Sequence, residues 1–265
     1  MNLSTKWMAS CWRKRSRLLA FTLPLITLTA CEVLDQKPES NFTPTNFYKN
    51  ADDAKAAVSA VYDPLNNANM YAQVMWILQD QATDDAEWGN GPSTANQPKN
   101  DLDKFTFTPA TATFQSIWST VYQAINRANA VISRVPAIAM DETTKARFIA
   151  EAKFMRGFYY FTLVRLFGGV PLVTTETTSL DKLNVARASV DDVYTLIIQD
   201  FTEAESILPT SYSTADKGRA TKGAAKAFLA KVYLTRQEWA KASAKAKEVI
   251  DLGTYDLWAN FADAF

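Results

Sequence analysis

The sequence predicts an all-α protein of paired helices interrupted by one long irregular loop, on three observations. Apolar residues recur at three- and four-residue steps through most of the chain beyond residue 50, the period of a helix with one buried face. Caps and breakers bracket those stretches, among them Ser189, Gly168, Gly169, Pro136 and Pro171. Residues 80–110, "DQATDDAEWGNGPSTANQPKNDLDKFTFTPA", show little helical period. A connection of roughly thirty residues is unusually long and is commonly functional or disordered.

The chain opens differently. Lys6, Arg13, Lys14, Arg15 and Arg17 precede the uncharged run Leu18–Ala30, and no carboxylate appears before Glu32. That run would reach only about 20 Å as a helix, short of the ~30 Å of a bilayer core. Basic residues, a short apolar run and small residues at its end make a secretory signal, expected over residues 1–30. Residues 31–50 are polar with two prolines and are expected to form an extended tether.

A helical domain is expected over 51–265. "ADDAKAAVSAVYDPL" puts Ala54, Ala57, Val58, Val61 and Leu65 on one face, with Asp52 and Asp53 in the dipole-favoured first turn. "TFQSIWSTVYQAINRANAVISRVP" does the same with Phe114, Ile117, Val121, Ile125, Ala128 and Ile132, up to Pro136. "DETTKARFIAEAKFMRGFYYFTLVRLFGG" carries Phe148, Ala152, Met155, Tyr159 and Leu166 on one side. It is apolar almost all round after Phe154, which predicts burial among other helices. Within it, Arg156 and Glu151 are expected in structural ion pairs, and Phe158, Tyr159, Tyr160 and Phe161 in the core. Asn126 and Asn129 are expected to hold backbone or a facing helix. "SVDDVYTLIIQDFTEAESILP" begins with Ser189 as cap and Asp192 as its partner. Val190, Val193, Ile197, Phe201, Ala204 and Leu208 keep its spacing. "TKGAAKAFLAKVYLTRQEWAKASAKAKEVIDLG" reads as a helical hairpin broken near Thr235–Glu238.

That hairpin resembles the tetratricopeptide helix pair at Leu229, Ala230, Tyr233, Trp239 and Ala242, with Gln237 where the repeat usually has Gly. Tyr233 and Trp239 are expected to fill the angle between its helices. No second copy appears at the repeat's period, so the expected architecture is a tetratricopeptide-like scaffold and not a regular array.

Composition excludes several chemistries. The chain has no His and only two Cys, Cys11 within the signal and Cys31 at its end. The commonest general base and the commonest zinc ligand are therefore absent. Five of the 28 cations and none of the 28 carboxylates lie in residues 1–30, so residues 31–265 carry about −5. That balance argues against a nucleic-acid partner. No cofactor or metal is expected.

Two resemblances give these segments a context. Leu28-Thr29-Ala30-Cys31 resembles the bacterial lipobox, which implies diacylation of Cys31 and its place as the first mature residue. "EAKFMRGFYYFTLVRLFGGVPLV" (Glu151–Val173) resembles the hallmark segment of SusD/RagB-type lipoproteins. "FYKNADDAKAAVSAVYDPL" and "YQAINRANAVISRVP" before it, and "ASVDDVYTLIIQDFTEAESILP" and "GRATKGAAKAFLAKVYLTRQEW" after it, occur in that family's order. The resemblance implies a surface protein of the outer membrane, lipid-anchored over a TonB-dependent, SusC-like transporter. Such a protein captures oligosaccharides, or peptides in the RagB-like branch, and catalyses nothing. A helical adaptor that binds only the transporter is the other reading. Family members are longer, and the chain stops at "YDLWANFADAF", so it reads as the N-terminal half of such a protein.

The 80–110 loop is the expected ligand region. Trp88 offers a flat apolar face for a sugar ring, and Asp84, Asp85 and Asn90 offer groups for hydroxyls. The bland alternative makes Trp88 a loop anchor beside solvated carboxylates. Asp80, Asp84, Asp85, Glu87, Asp101 and Asp103 do not have the spacing of a calcium loop. Adjacent Asp84 and Asp85 are poor evidence for two carboxyls facing across a sugar.

Overall fold

Asn50 is extended and its side-chain oxygen accepts the Asp53 N–H at 3.0 Å, which starts the first helix, α1 (Ala51–Tyr62). The computed structural model describes residues 47–89, 97–179 and 184–264. The expected signal, Cys31 and most of the tether lie outside them. After α1 come α2 (Val74–Trp76), α3 (Gln97–Asp103), α4 (Ala112–Arg134) and α5 (Glu142–Phe167). Next are α6 (Val190–Ile207), α7 (Lys222–Thr235) and α8 (Trp239–Asp251). No extended strand forms among the described residues beyond one isolated bridge, Pro171 to Arg187.

The expected faces are mostly the buried ones, although Phe114, Ile132 and Phe158 are half-buried and Val190, at the first turn of α6, is 43 % exposed. α1 buries Ala54, Ala57, Val58 and Val61. It then tightens into a 3-10 turn over Asp63–Asn66, which shifts the phase, buries Pro64 and leaves Leu65 half-exposed. α4 buries Ile117, Val121, Ala124, Ile125, Ala128 and Val131. Pro136 sits inside a 3-10 turn at its end.

α5 is the central helix and packs on α1, α4 and α6. Its N-cap Asp141 accepts the Thr144 N–H at 2.8 Å. Between Phe154 and Val164 every residue except Phe158 is buried, so no single face is apolar. Leu166 turns out exposed, one residue from the end of the helix. Gly168 stops the helix at φ +71°, and a Cβ on Gly169 would lie 2.3 Å from the Ala188 carbonyl oxygen. Only glycine allows that turn and that approach. The chain then returns along α5 and pairs Pro171 with Arg187.

α6 is capped as expected: Ser189 Oγ accepts the Asp192 N–H at 3.1 Å. α6 packs on α7, and α7 on α8. Lys226 of α7 donates to Glu205 of α6 at 2.9 Å, and Lys245 of α8 donates to Glu205 at 2.8 Å. Both lysines also bond Glu248. The hairpin breaks at Arg236–Glu238, with Gln237 at φ +61° where the repeat usually has glycine. One expectation fails here. Trp239 does not fill the interhelical angle; it is 60 % exposed, and Ala242 is the buried residue of α8. α8 packs chiefly on α7 and reaches α6 through the Lys245–Glu205 pair, so most of its apolar side chains meet no second layer among the described residues.

The 80–110 stretch is also less irregular than its sequence suggests. α2 runs into a π turn at Ile77–Gln81, and α3 lies within the stretch. A helix of 7 residues whose buried positions are Asn100 and Leu102 has too little apolar periodicity to be seen beforehand. No helix among the described residues is long and apolar enough to cross a membrane.

Candidate ligand site around the third helix

Trp88 is half-buried, and the Lys99 ammonium of α3 lies 4.3 Å from its ring centroid. That cation–π contact fastens the loop to α3. Asp84 and Asp85 are exposed, beside a turn in which Thr83 Oγ1 accepts the Asp85 N–H at 3.3 Å. Asn90 lies outside the described residues.

This region carries polar groups the fold leaves unsatisfied. Gln81 Oε1, Trp88 Nε1 and Asn100 Nδ2 are buried without a hydrogen-bond partner among the described residues. Each such atom costs about 1–3 kcal/mol. Outside the region the same holds only for Arg147 Nε among those residues. Ordered water or a bound ligand is what completes such groups.

Two aromatic residues that sequence reasoning missed stand at the end of α3. The Phe105 N–H reaches the Leu102 carbonyl at 3.3 Å, and the Thr106 N–H reaches Asp101 at 2.9 Å. These bonds make a Schellman-type stop, whose left-handed position is usually glycine. Phe105 occupies it at φ +54°, at a cost of about 1–2 kcal/mol for a side-chain-bearing residue. Phe105 is nevertheless 65 % exposed, and Phe107 is 41 % exposed. Their centroids are 6.5 Å apart, and Phe107 meets Phe114 of α4 edge-on at 5.6 Å. Asp101 steadies the turn by accepting from Gln97 Nε2 at 2.7 Å and Thr106 Oγ1 at 3.2 Å. The available signal was "FTFTP": aromatics beside hydroxyls after a polar run.

A concavity of about 350 Å³ lies between α4 and the segment after α5, lined by Trp118, Tyr122, Asn126, Pro171, Val173, Thr177 and Val185. Its polar groups already hold backbone. Tyr122 donates to the Pro171 carbonyl at 2.8 Å, and Asn126 Oδ1 accepts the Thr177 N–H at 2.7 Å. Tyr160 both donates to the Val173 carbonyl at 3.1 Å and accepts its N–H at 2.7 Å. Burial pushes the Tyr160 hydroxyl up to about 12.

Beneath this segment Arg156 forks onto Asp200 with two bonds of 2.8 Å. A further Arg156 nitrogen donates to Asn129 Oδ1 at 2.9 Å, and Asn129 Nδ2 donates to the Val173 carbonyl at 2.7 Å. Glu151, fully buried, accepts from Arg219 at 2.9 Å and from Tyr62 at 3.0 Å. Burial pushes the carboxyls of Glu151 and Asp200 up, against the pull of their arginines. Arg156, Glu151 and the two asparagines are therefore structural, as expected, and this concavity belongs to the scaffold. The loop around α3 is the better candidate.

The geometry defines a class: an all-α scaffold of stacked helix pairs that presents an aromatic-bearing polar loop. Residues 32–234 match a SusD-like family model described as "Starch-binding associating with outer membrane". The chain belongs to this SusD-like family. A SusD-like protein of Formosa agariphila is 27 % identical over 95 % of this chain and 49 % of its own length. One of Bacteroides ovatus is 28 % identical over 95 % of this chain and 47 % of its own. The chain thus spans about half the length of the curated relatives it matches. Among solved structures, a "Laminarin binding SusD-like protein" superposes with a TM-score of 0.71 at 38 % identity, covering 76 % of this chain and 44 % of the other. A SusD homologue of Bacteroides thetaiotaomicron gives a TM-score of 0.71 at 27 % identity, covering 82 % and 44 %.

Proposed function

We propose that the protein is a non-catalytic, lipid-anchored glycan-binding protein of the outer membrane that passes oligosaccharides to a TonB-dependent, SusC-like transporter. The observation that carries the glycan part is the family match, joined to a solved laminarin-binding SusD-like relative at 38 % identity. The α3 loop supports it with Trp88, Asp84 and Asp85 in one segment, where apolar faces and a few polar groups meet as in small-ligand sites. Anchoring rests on the lipobox-like Leu28–Cys31 and the basic, short signal before it; acyl chains contribute about 0.8 kcal/mol per buried CH₂. Delivery to a transporter rests on family likeness alone.

Calorimetry of the protein against a panel of soluble glycans tests the reading. Millimolar or tighter binding that weakens in Trp88→Ala is the expected result. Binding of peptides and of no glycan would move the protein to the RagB-like branch. Recovery of a barrel transporter without any small ligand would make it an adaptor. Palmitate labelling in the native host should mark the protein and vanish in Cys31→Ala.

A further inference from the structure

We infer that Phe105 and Phe107 form a second contact surface of the α3 loop, an aromatic platform for the C–H faces of an uncharged oligosaccharide. The inference rests on the glycan-capture reading and adds to it residues and a ligand charge that the reading does not contain. Three observations meet here. Phe105 holds a left-handed backbone, φ +54°, at a helix stop where glycine would sit without strain. The residue gains no burial in return, being 65 % exposed. A bulky aromatic held in a strained, solvent-facing position points to a role in a complex.

The ring does not stand alone. Phe107, 41 % exposed, continues the surface 6.5 Å away and is held from behind by Phe114 at 5.6 Å. The platform thus has a fixed base on α4. Thr106, between the two rings, is tied to Asp101, which fixes the turn that sets them.

Local charge selects the ligand class. Lys99 and Lys104 are balanced by Asp101 and Asp103 across α3 and its end, and Lys99 already lies over Trp88. Nothing there concentrates positive potential for a uronate or a sulfated sugar. Aromatic faces flanked in sequence by the hydroxyl-bearing Thr106 and Thr108 suit a neutral, polyhydroxylated chain. A protein partner would favour a larger continuous apolar patch than two rings separated by a threonine.

Phe105→Gly and Phe107→Ala in the full chain provide the test, with affinity gel electrophoresis on laminarin, soluble starch and polygalacturonate, and urea unfolding in parallel. The parent should be retarded by a neutral glucan and not by polygalacturonate. Each variant should bind that glucan at least tenfold more weakly. Phe105→Gly should keep or raise the urea midpoint, because glycine relieves the left-handed strain. If the parent binds and both variants bind equally well, the platform is wrong while glycan capture stands. A lowered midpoint in Phe105→Gly would show that the ring serves the fold, and preference for polygalacturonate would refute the neutral class. A parent that binds no glycan at all defeats the capture reading and takes this inference with it.

Discussion

At the scale of single residues, the polar core sets the sharpest expectations. Arg156 forks onto Asp200, which is 1 % exposed, and also reaches Asn129. Arg156→Ala would strand a buried carboxylate and release the 173–175 backbone that Asn129 holds. Breaking such a pair on one side costs about 3–5 kcal/mol, so a large drop in the urea midpoint is expected. Titration supplies a second test. The Lys153 hydrogen bond holds the Glu203 carboxyl below its ordinary range, and bonds from Lys226 and Lys245 do the same for Glu248. The folded state binds those protons less readily than the unfolded chain, so their contribution is present above the ordinary carboxylate value of 4.5 and fades as pH falls below it. Glu151 and Asp200, pushed up by burial, work in the opposite direction. Glu203→Gln isolates the first effect: its urea midpoint should fall less than the parent's between about pH 6 and pH 3.5. Equal slopes would refute the assignment.

At the scale of elements, two joints are decisive. Gln237 turns the α7–α8 hairpin at φ +61° with an exposed side chain. Gln237→Gly should therefore stabilise by up to about 1 kcal/mol, read as a small rise in melting temperature, since the strain of a left-handed Gln exceeds the entropic cost of glycine there. The second joint is the α5–α6 crossing. A Cβ at Gly157 would sit 3.2 Å from a Phe201 ring carbon and 3.3 Å from Asp200 Cβ. Phe201 cannot retreat easily, because Phe228 stacks on it at 5.5 Å and Phe154 lies 5.4 Å away. Gly157→Val should cost about 1–3 kcal/mol through overpacking, measured by thermal or urea unfolding. The other joint glycines are legible as punctuation, but Gly157 is not. In sequence it is one small residue in an apolar run, and only the neighbouring helix makes its missing side chain matter.

At the scale of the molecule, one side is covered and the other is open. α5 is wrapped by α1, α4 and α6, whereas α8 packs chiefly on α7 and touches α6 through the Lys245–Glu205 pair. Leu234, Trp239 and Ile250 of the hairpin are mostly exposed, as are Leu257, Trp258 and Phe261 beyond it. Beside them an open groove of about 530 Å³ runs between Ala230, Leu234, Trp239 and Ala246. Contiguous exposed apolar surface promotes association. A chain of this sequence should self-associate in light scattering, and Leu234→Lys with Trp239→Glu should reduce that without lowering the urea midpoint. Continued association in the double variant would place the sticky surface elsewhere.

Helices, caps and the central, all-round apolar α5 were readable from sequence because each depends on residues a few positions apart, and local periodicity records such dependence. The same is true of the ordered segments that carry the family likeness. Tertiary structure alone decided the rest: which arginine meets which carboxylate, that Trp239 faces out, that a short helix interrupts the loop, and that Phe105 sits strained and bare at its end. Those outcomes depend on surfaces brought together across tens of residues, and on φ angles that no side-chain pattern encodes when a phenylalanine or a glutamine stands in glycine's place.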